Sequence, residues 1–126
     1  MALILDSGAL IAIDHRDRKL GAMLRIAQQE RLPVRTSAAA LAQVWRKGAR
    51  QVNLARSIAG MDVAAIEETS SKRIGELLGR TRTADVVDAH VVLLATSAAD
   101  HVLTSDVDDL GPLFHSRGMA ATLIHV

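Results

Sequence analysis

Short apolar runs alternate with helical periods along most of this chain. Ala2 to Leu5 is apolar and closes on Asp6-Ser7-Gly8, which predicts a buried strand. Ser7 to Ile13 reads as a short helix with Ser7 as its cap. From Lys19 to Gln29 the apolar residues Leu20, Met23, Leu24 and Ala27 recur at helical spacing. A short strand over Pro33-Val34-Arg35 follows. Thr36-Ser37 then gives a cap signal for an Ala-rich helix, Ala38 to Lys47, that stops near Gly48. Val52 to Ile58 is read as helical, Val63 to Ile66 as a strand, and Glu67 to Leu78 as a helix ending near Gly79. Thr83 caps a long helix, Ala84 to Ala98. Val102-Leu103-Thr104 is a strand ending in Ser105-Asp106. Leu110 to Arg117 is helical up to Gly118, and Ala121 to Ile124 is the last strand.

Strands alternating with helices from end to end predict an α/β fold: a three-layer α/β/α sandwich around a mainly parallel sheet. Ligands of such folds bind beyond the carboxyl ends of the strands. Asp6 and Asp106 both follow predicted strands, so both fall on that rim.

Length and composition narrow the reading. The 126 residues fit a single domain, 1–126, and their 49% hydrophobic content supports a packed core. Tyr is absent, and Trp45 and Phe114 stand alone, so the core is built from Ala, Val, Leu and Ile. Trp45 is expected in the core or at an interface. Without Cys there is no disulfide, thiolate metal site or thiol nucleophile. The first residues lack a basic n-region, and the apolar stretch Ala89–Ala98 is interrupted by His90 and Ser97 and is too short to span a bilayer. A soluble cytoplasmic protein with no membrane partner is expected.

The candidate chemistry is acidic. Asp85 and Asp88 lie three residues apart at a helix start, on one face. Asp106, Asp108 and Asp109 follow the late strand. Carboxylates converging on a sheet rim suit a hard divalent cation, Mg²⁺ or Mn²⁺. Such an ion can activate water and stabilise charge on a phosphodiester. A plainer reading competes: Asp85 and Asp88 as acids complementing a helix dipole, and Asp108 and Asp109 as turn and cap residues. His15, His90, His101, His115 and His125 form no metal-binding spacing, and His90 lies about 200° around its helix from Asp88. No dinucleotide, P-loop or esterase motif is present. The net charge of +1 does not announce a nucleic-acid binder, but basic clusters occur. Arg46 and Arg50, near the middle of the chain, are candidate phosphate contacts.

Four segments, in order, resemble those of PIN-domain proteins. They are Ile4 to Ala12, Ala42-Gln43-Val44-Trp45-Arg46, Asp85-Val86-Val87-Asp88-Ala89-His90, and Val102 to Asp106. The resemblance is to the toxin half of VapBC toxin–antitoxin pairs. It implies a metal-dependent endoribonuclease that cleaves single-stranded RNA with Mg²⁺ or Mn²⁺. It further implies a homodimer held neutral by a small antitoxin protein. Its acids match Asp6, Asp88 and Asp106, with Asp85 and Gln43 as further metal neighbours. Gln43 stands where a Glu is usual, which removes a charge and a possible base. The alternative that follows is a non-catalytic PIN domain that binds RNA or a partner protein. A TOPRIM-like reading, based on Asp106-Val107-Asp108, lacks the Glu that fold wants after its first strand. A receiver domain lacks its acid pair and late Lys.

Overall fold

The computed structural model describes residues 1–126. Its strands are β1 (Leu3–Leu5), β2 (Val34–Ser37), β3 (Asp62–Ala64), β4 (His101–Thr104) and β5 (Thr122–His125). Helices α1 (Ser7–Asp14) and α2 (Arg18–Gln29) precede β2, and α3 (Ala38–Val44), a single 3-10 turn (Gly48–Arg50) and α4 (Val52–Ile58) precede β3. Helices α5 (Glu68–Thr81) and α6 (Val86–Leu94) lead to β4, and α7 (Val107–Arg117) leads to β5. The sheet has five strands in the order β3-β2-β1-β4-β5, and every pairing is parallel.

This order places the helices. The chain steps outward from β1 through β2 to β3, then returns to the other side of β1 for β4 and β5. Right-handed crossovers in opposite directions put their helices on opposite faces. Accordingly α1 packs with α2, α3 and α4, while α5, α6 and α7 pack with one another. Leu3, Ile4 and Leu5 are buried on both faces, as expected of the central strand of a parallel sheet. Leu10, Leu20 and Leu54 fill one side, and Val91, Leu77 and Leu110 fill the other. No helix is long and apolar enough to cross a membrane.

Several boundaries differ from the sequence reading. Asp6, not Ser7, caps α1: its carboxylate accepts from Ala9 N at 2.9 Å. Helix α6 begins at Val86 under Asp85 rather than at Ala84 under Thr83. It stops at Leu94, well before Ala98, because the buried Asp100 carboxylate takes the N–H groups of Thr96 and Ser97 at 2.9 and 3.2 Å. Helix α7 starts at Val107 instead of Leu110, so Asp108 and Asp109 lie in its first turn. Helix α5 runs through Gly79 to Thr81 and ends where Arg82 turns left-handed at φ 56°.

Helix α3 ends at Val44 rather than Lys47. The buried Gln51 side chain explains this. Its Oε1 accepts from Arg46 N and Lys47 N at 2.8 and 3.1 Å, and its Nε2 donates to Val44 O at 3.0 Å. These bonds replace the next helical turn with a braced loop.

Candidate metal centre

The chain reverses its direction of travel across the sheet between β1 and β4, which is the switch point where ligands of such sheets bind. Leu5 pairs with Leu103 across this seam, and Asp6 N donates to Leu103 O at 3.2 Å. Asp6 therefore emerges beside Thr104, with Asp106 two residues further along the neighbouring strand's exit.

Asp6 is only 3% exposed. Burial pushes its carboxyl above the ordinary range, and the nearby Asp106 adds to the rise. The Thr104 hydroxyl and the N–H groups of Ala9 and Ser105 work against that rise without cancelling it. Thr104 is fully buried, and its Oγ1 also accepts from Asp106 N at 2.8 Å. One hydroxyl thus bonds to the backbone of the second acid and also opposes the rise of the first. Gly8 makes the approach of α1 possible. A Cβ there would lie 2.0 Å from Ser105 Oγ and 2.6 Å from Ser105 Cβ.

Helix α6 brings Asp88 to the same rim. Asp85 is its N-cap, with Oδ1 accepting from Asp88 N at 2.9 Å. The half-buried Asp88 carboxyl is pushed up to about 6, first by burial and then by Asp85, Asp106, Asp109 and Asp6. The sequence reading favoured a turn or cap role for Asp109. Its place in the first turn of α7 also brings its charge to bear on Asp88.

No cation offsets these charges, since the single ion pair in the chain joins Lys72 to Glu68 on α5. No three of these acids are drawn together closely enough to form a ready-made ligand cage. Asp106 is exposed and Asp88 half-exposed, so both side chains can turn toward an ion. Uncompensated oxygen donors, raised by burial first and by one another second, fit a hard divalent cation.

Gln43 lies over the start of α1. Its Oε1 accepts from Ser7 Oγ at 2.5 Å, and Ser7 directly follows Asp6. Arg46 is turned back on α3, where its Nη1 donates to Ala42 O at 3.3 Å and Trp45 O at 2.7 Å. It caps that helix, which commits one of its nitrogens to the chain itself. Arg50 is exposed at the end of the 3-10 turn. Trp45 is 38% exposed and lies outside the buried core, contrary to a core assignment. His90 is buried against Ser37, Nδ1 to Oγ at 2.6 Å, and burial lowers its pKa, so it stays neutral behind the rim.

Thr104 and Gly8 had no role assigned from sequence. For Thr104 a signal existed: a hydroxyl two residues before an Asp at a strand exit is the pattern of a side-chain turn. Gly8 immediately follows an acid at a strand end, where a close backbone approach favours glycine.

No family model matches the sequence, and no curated protein matches it. Among solved structures, the chain is similar to one from the crystal structure of VapBC2 from Rickettsia felis bound to a DNA fragment from their promoter. The TM-score is 0.68 at 12% identity, over 100% of this chain and 99% of that one. The shared feature is the fold: helices around a five-stranded, all-parallel sheet.

Proposed function

We propose that this chain is a Mg²⁺- or Mn²⁺-dependent ribonuclease of the PIN type that cleaves single-stranded RNA, the toxin half of a toxin–antitoxin pair. The observation that carries the reading is the uncompensated acidic rim at the switch point, where Asp6 and Asp106 leave adjacent strands and Asp88 is pushed up to about 6. The fold likeness to a chain of a VapBC complex supports the class. Asp6, Asp88 and Asp106 would hold the ion, with Asp85 and Gln43 beside them. The bound ion would supply an activated water and charge stabilisation for a phosphodiester. Thr104 holds the backbone of Asp106, and Asp85 holds the start of the helix that carries Asp88.

The antitoxin half of the reading has its own support. Two adjoining cavities of about 450 and 700 Å³ form a groove between α2 and α4. Leu24 and Met61 give it apolar surface, and Arg16, Arg18, Arg25 and Arg56 line it in no ion pair, beside one acid, Asp17, whose carboxylate accepts from Leu20 N. That combination suits an acidic amphipathic segment of a small partner protein.

One observation favours a second reading, a non-catalytic PIN domain. Gln43 supplies an amide where a carboxylate would strengthen cation binding, and its oxygen is already engaged by Ser7. Calorimetry of Mn²⁺ binding combined with cleavage of single-stranded RNA separates the two. The nuclease reading expects saturable Mn²⁺ binding and cleavage that Asp6→Asn abolishes. Unchanged cleavage by Asp6→Asn protein would falsify it. RNA binding without metal binding would favour the second.

A further inference from the structure

Trp45 is the only Trp of the chain, and no Tyr accompanies it. A large ring standing 38% exposed in a protein so poor in aromatics calls for a partner. The ring is seated, not loose. A Cβ on Gly48 would lie 2.9 Å from Trp45 Cζ2 and 3.4 Å from Cη2, so the glycine backbone supports the six-membered ring. Gln51 braces the same loop by accepting from Arg46 N and Lys47 N. A ring held this way loses little freedom when a flat partner covers it.

The chain next to the ring is basic. Arg46, Lys47 and Arg50 lie within five residues of Trp45, and from Arg31 to Met61 the sequence has no Asp or Glu. The acid that reaches this loop is Asp14, which accepts from Gln51 Nε2 at 3.4 Å. Lys47 and Arg50 follow the ring by two and five residues, are exposed, and have no ion pair. A second copy of this chain meeting the same patch across a twofold axis would set these cations against their own copies, which is repulsive. A polyanion with flat rings meets both demands. Along the chain, the link to the acidic rim is short. Gln43, two residues before Trp45, is bonded to Ser7, which follows Asp6.

We propose that Trp45 is the platform on which one base of single-stranded RNA stacks, while Lys47 and Arg50 hold the adjoining phosphates. The proposal rests on the ribonuclease reading for the identity of the polyanion, but it concerns binding and needs no metal.

Because Trp45 is the sole Trp, its emission reports the contact directly. Titrating a short single-stranded oligoribonucleotide into the protein in EDTA should quench that emission saturably. Trp45→Ala should weaken RNA affinity roughly five- to a hundredfold, measured by anisotropy of labelled RNA, and Trp45→Phe should recover most of it. Lys47→Ala and Arg50→Ala should each reduce the slope of log affinity against log salt by about 0.7. Unchanged emission at saturating RNA, with full affinity in Trp45→Ala, overturns the platform. So does an emission shift that follows protein concentration alone, which would assign the ring to a self-interface. So does quenching by an acidic protein segment with none by RNA. Quenching by RNA without cleavage in Mn²⁺ would refute the nuclease reading and leave the platform standing. Cleavage without quenching would do the reverse.

Discussion

Gly8 and Ser105 meet so closely that a single methyl group on Gly8 would fall 2.0 Å from the Ser105 hydroxyl oxygen. The start of α1 and the exit of β4 are therefore in contact at the backbone. Gly8→Ala should force the two apart and lower stability by about 1–3 kcal/mol, the range for overpacked sites. It should also weaken Mn²⁺ binding, because Asp6 and Asp106 ride on the two separated segments. Ser105→Gly in the same chain should recover part of both losses. Thermal melting and calorimetry of the single and double variants test this, and an unperturbed Gly8→Ala protein would refute the contact.

Thr104→Val is the matching test inside the seam. The substitution keeps the shape but removes the hydroxyl that accepts from Asp106 N and opposes the rise of Asp6. A buried Asp6 that loses this donor should rise further in pKa, and stability should fall by roughly 1–3 kcal/mol. Mn²⁺ binding should then require a higher pH than in the parent. Identical pH profiles of binding would remove Thr104 from the site.

The acids also set a pH dependence with a definite sign. Asp88 is raised to about 6, above the 3.8 it has when free, so the folded protein holds a proton that the unfolded chain releases. Its contribution favours the fold at low pH and is lost as pH rises from about 4 through about 6. Asp6 shifts in the same direction. Asp100 runs the opposite way. Burial raises it, but the N–H groups of Thr96, Ala2 and Ser97, aided by Arg35, hold it below its ordinary value. Its stabilisation is lost as pH falls below about 4. In EDTA, Asp88→Asn should therefore gain melting temperature over the parent near pH 7 and lose that advantage near pH 4. A gain independent of pH would argue against the raised carboxyl. Mn²⁺ should stabilise the parent most above pH 6, where the acids are ionised.

Gln43→Glu asks whether the amide weakens the site. A Glu can keep the bond from Ser7 Oγ while adding one negative charge beside Asp6. In the metal-free protein this charge adds to the repulsion, so a small loss of melting temperature is expected. With a divalent ion present attraction should dominate, and Mn²⁺ should bind more tightly. Equal Mn²⁺ affinities in the two proteins would mean that position 43 stands outside the ion's reach.

The alternation of elements was legible because β1 is an unbroken apolar run, β4 has Val102-Leu103 at its centre, and α2 carries a clear helical period. The acids at the exits of β1 and β4 were legible for the same reason, since a strand's end fixes its following residue on the rim. What failed was local competition between signals. Thr83 and Asp85 are both good caps, and only the carboxylate of Asp85 reaches a helical N–H, that of Asp88. The apolar run to Ala98 contains no breaker, and its helix is cut short by Asp100 from downstream. Trp45 was out of reach of pattern reading, because its exposure depends on Gln51 folding the next loop back on α3.

Asp6 has two separable duties, one as the cap of α1 and one as a charge at the rim. Asn caps a helix about as well as Asp does. A mutation to Asn at this position erases the charge yet leaves the start of α1 intact. Loss of chemistry here need not mean loss of the protein. Under the proposed function, a chain disarmed at Asp6 would stay folded and act as a decoy that still takes up the antitoxin.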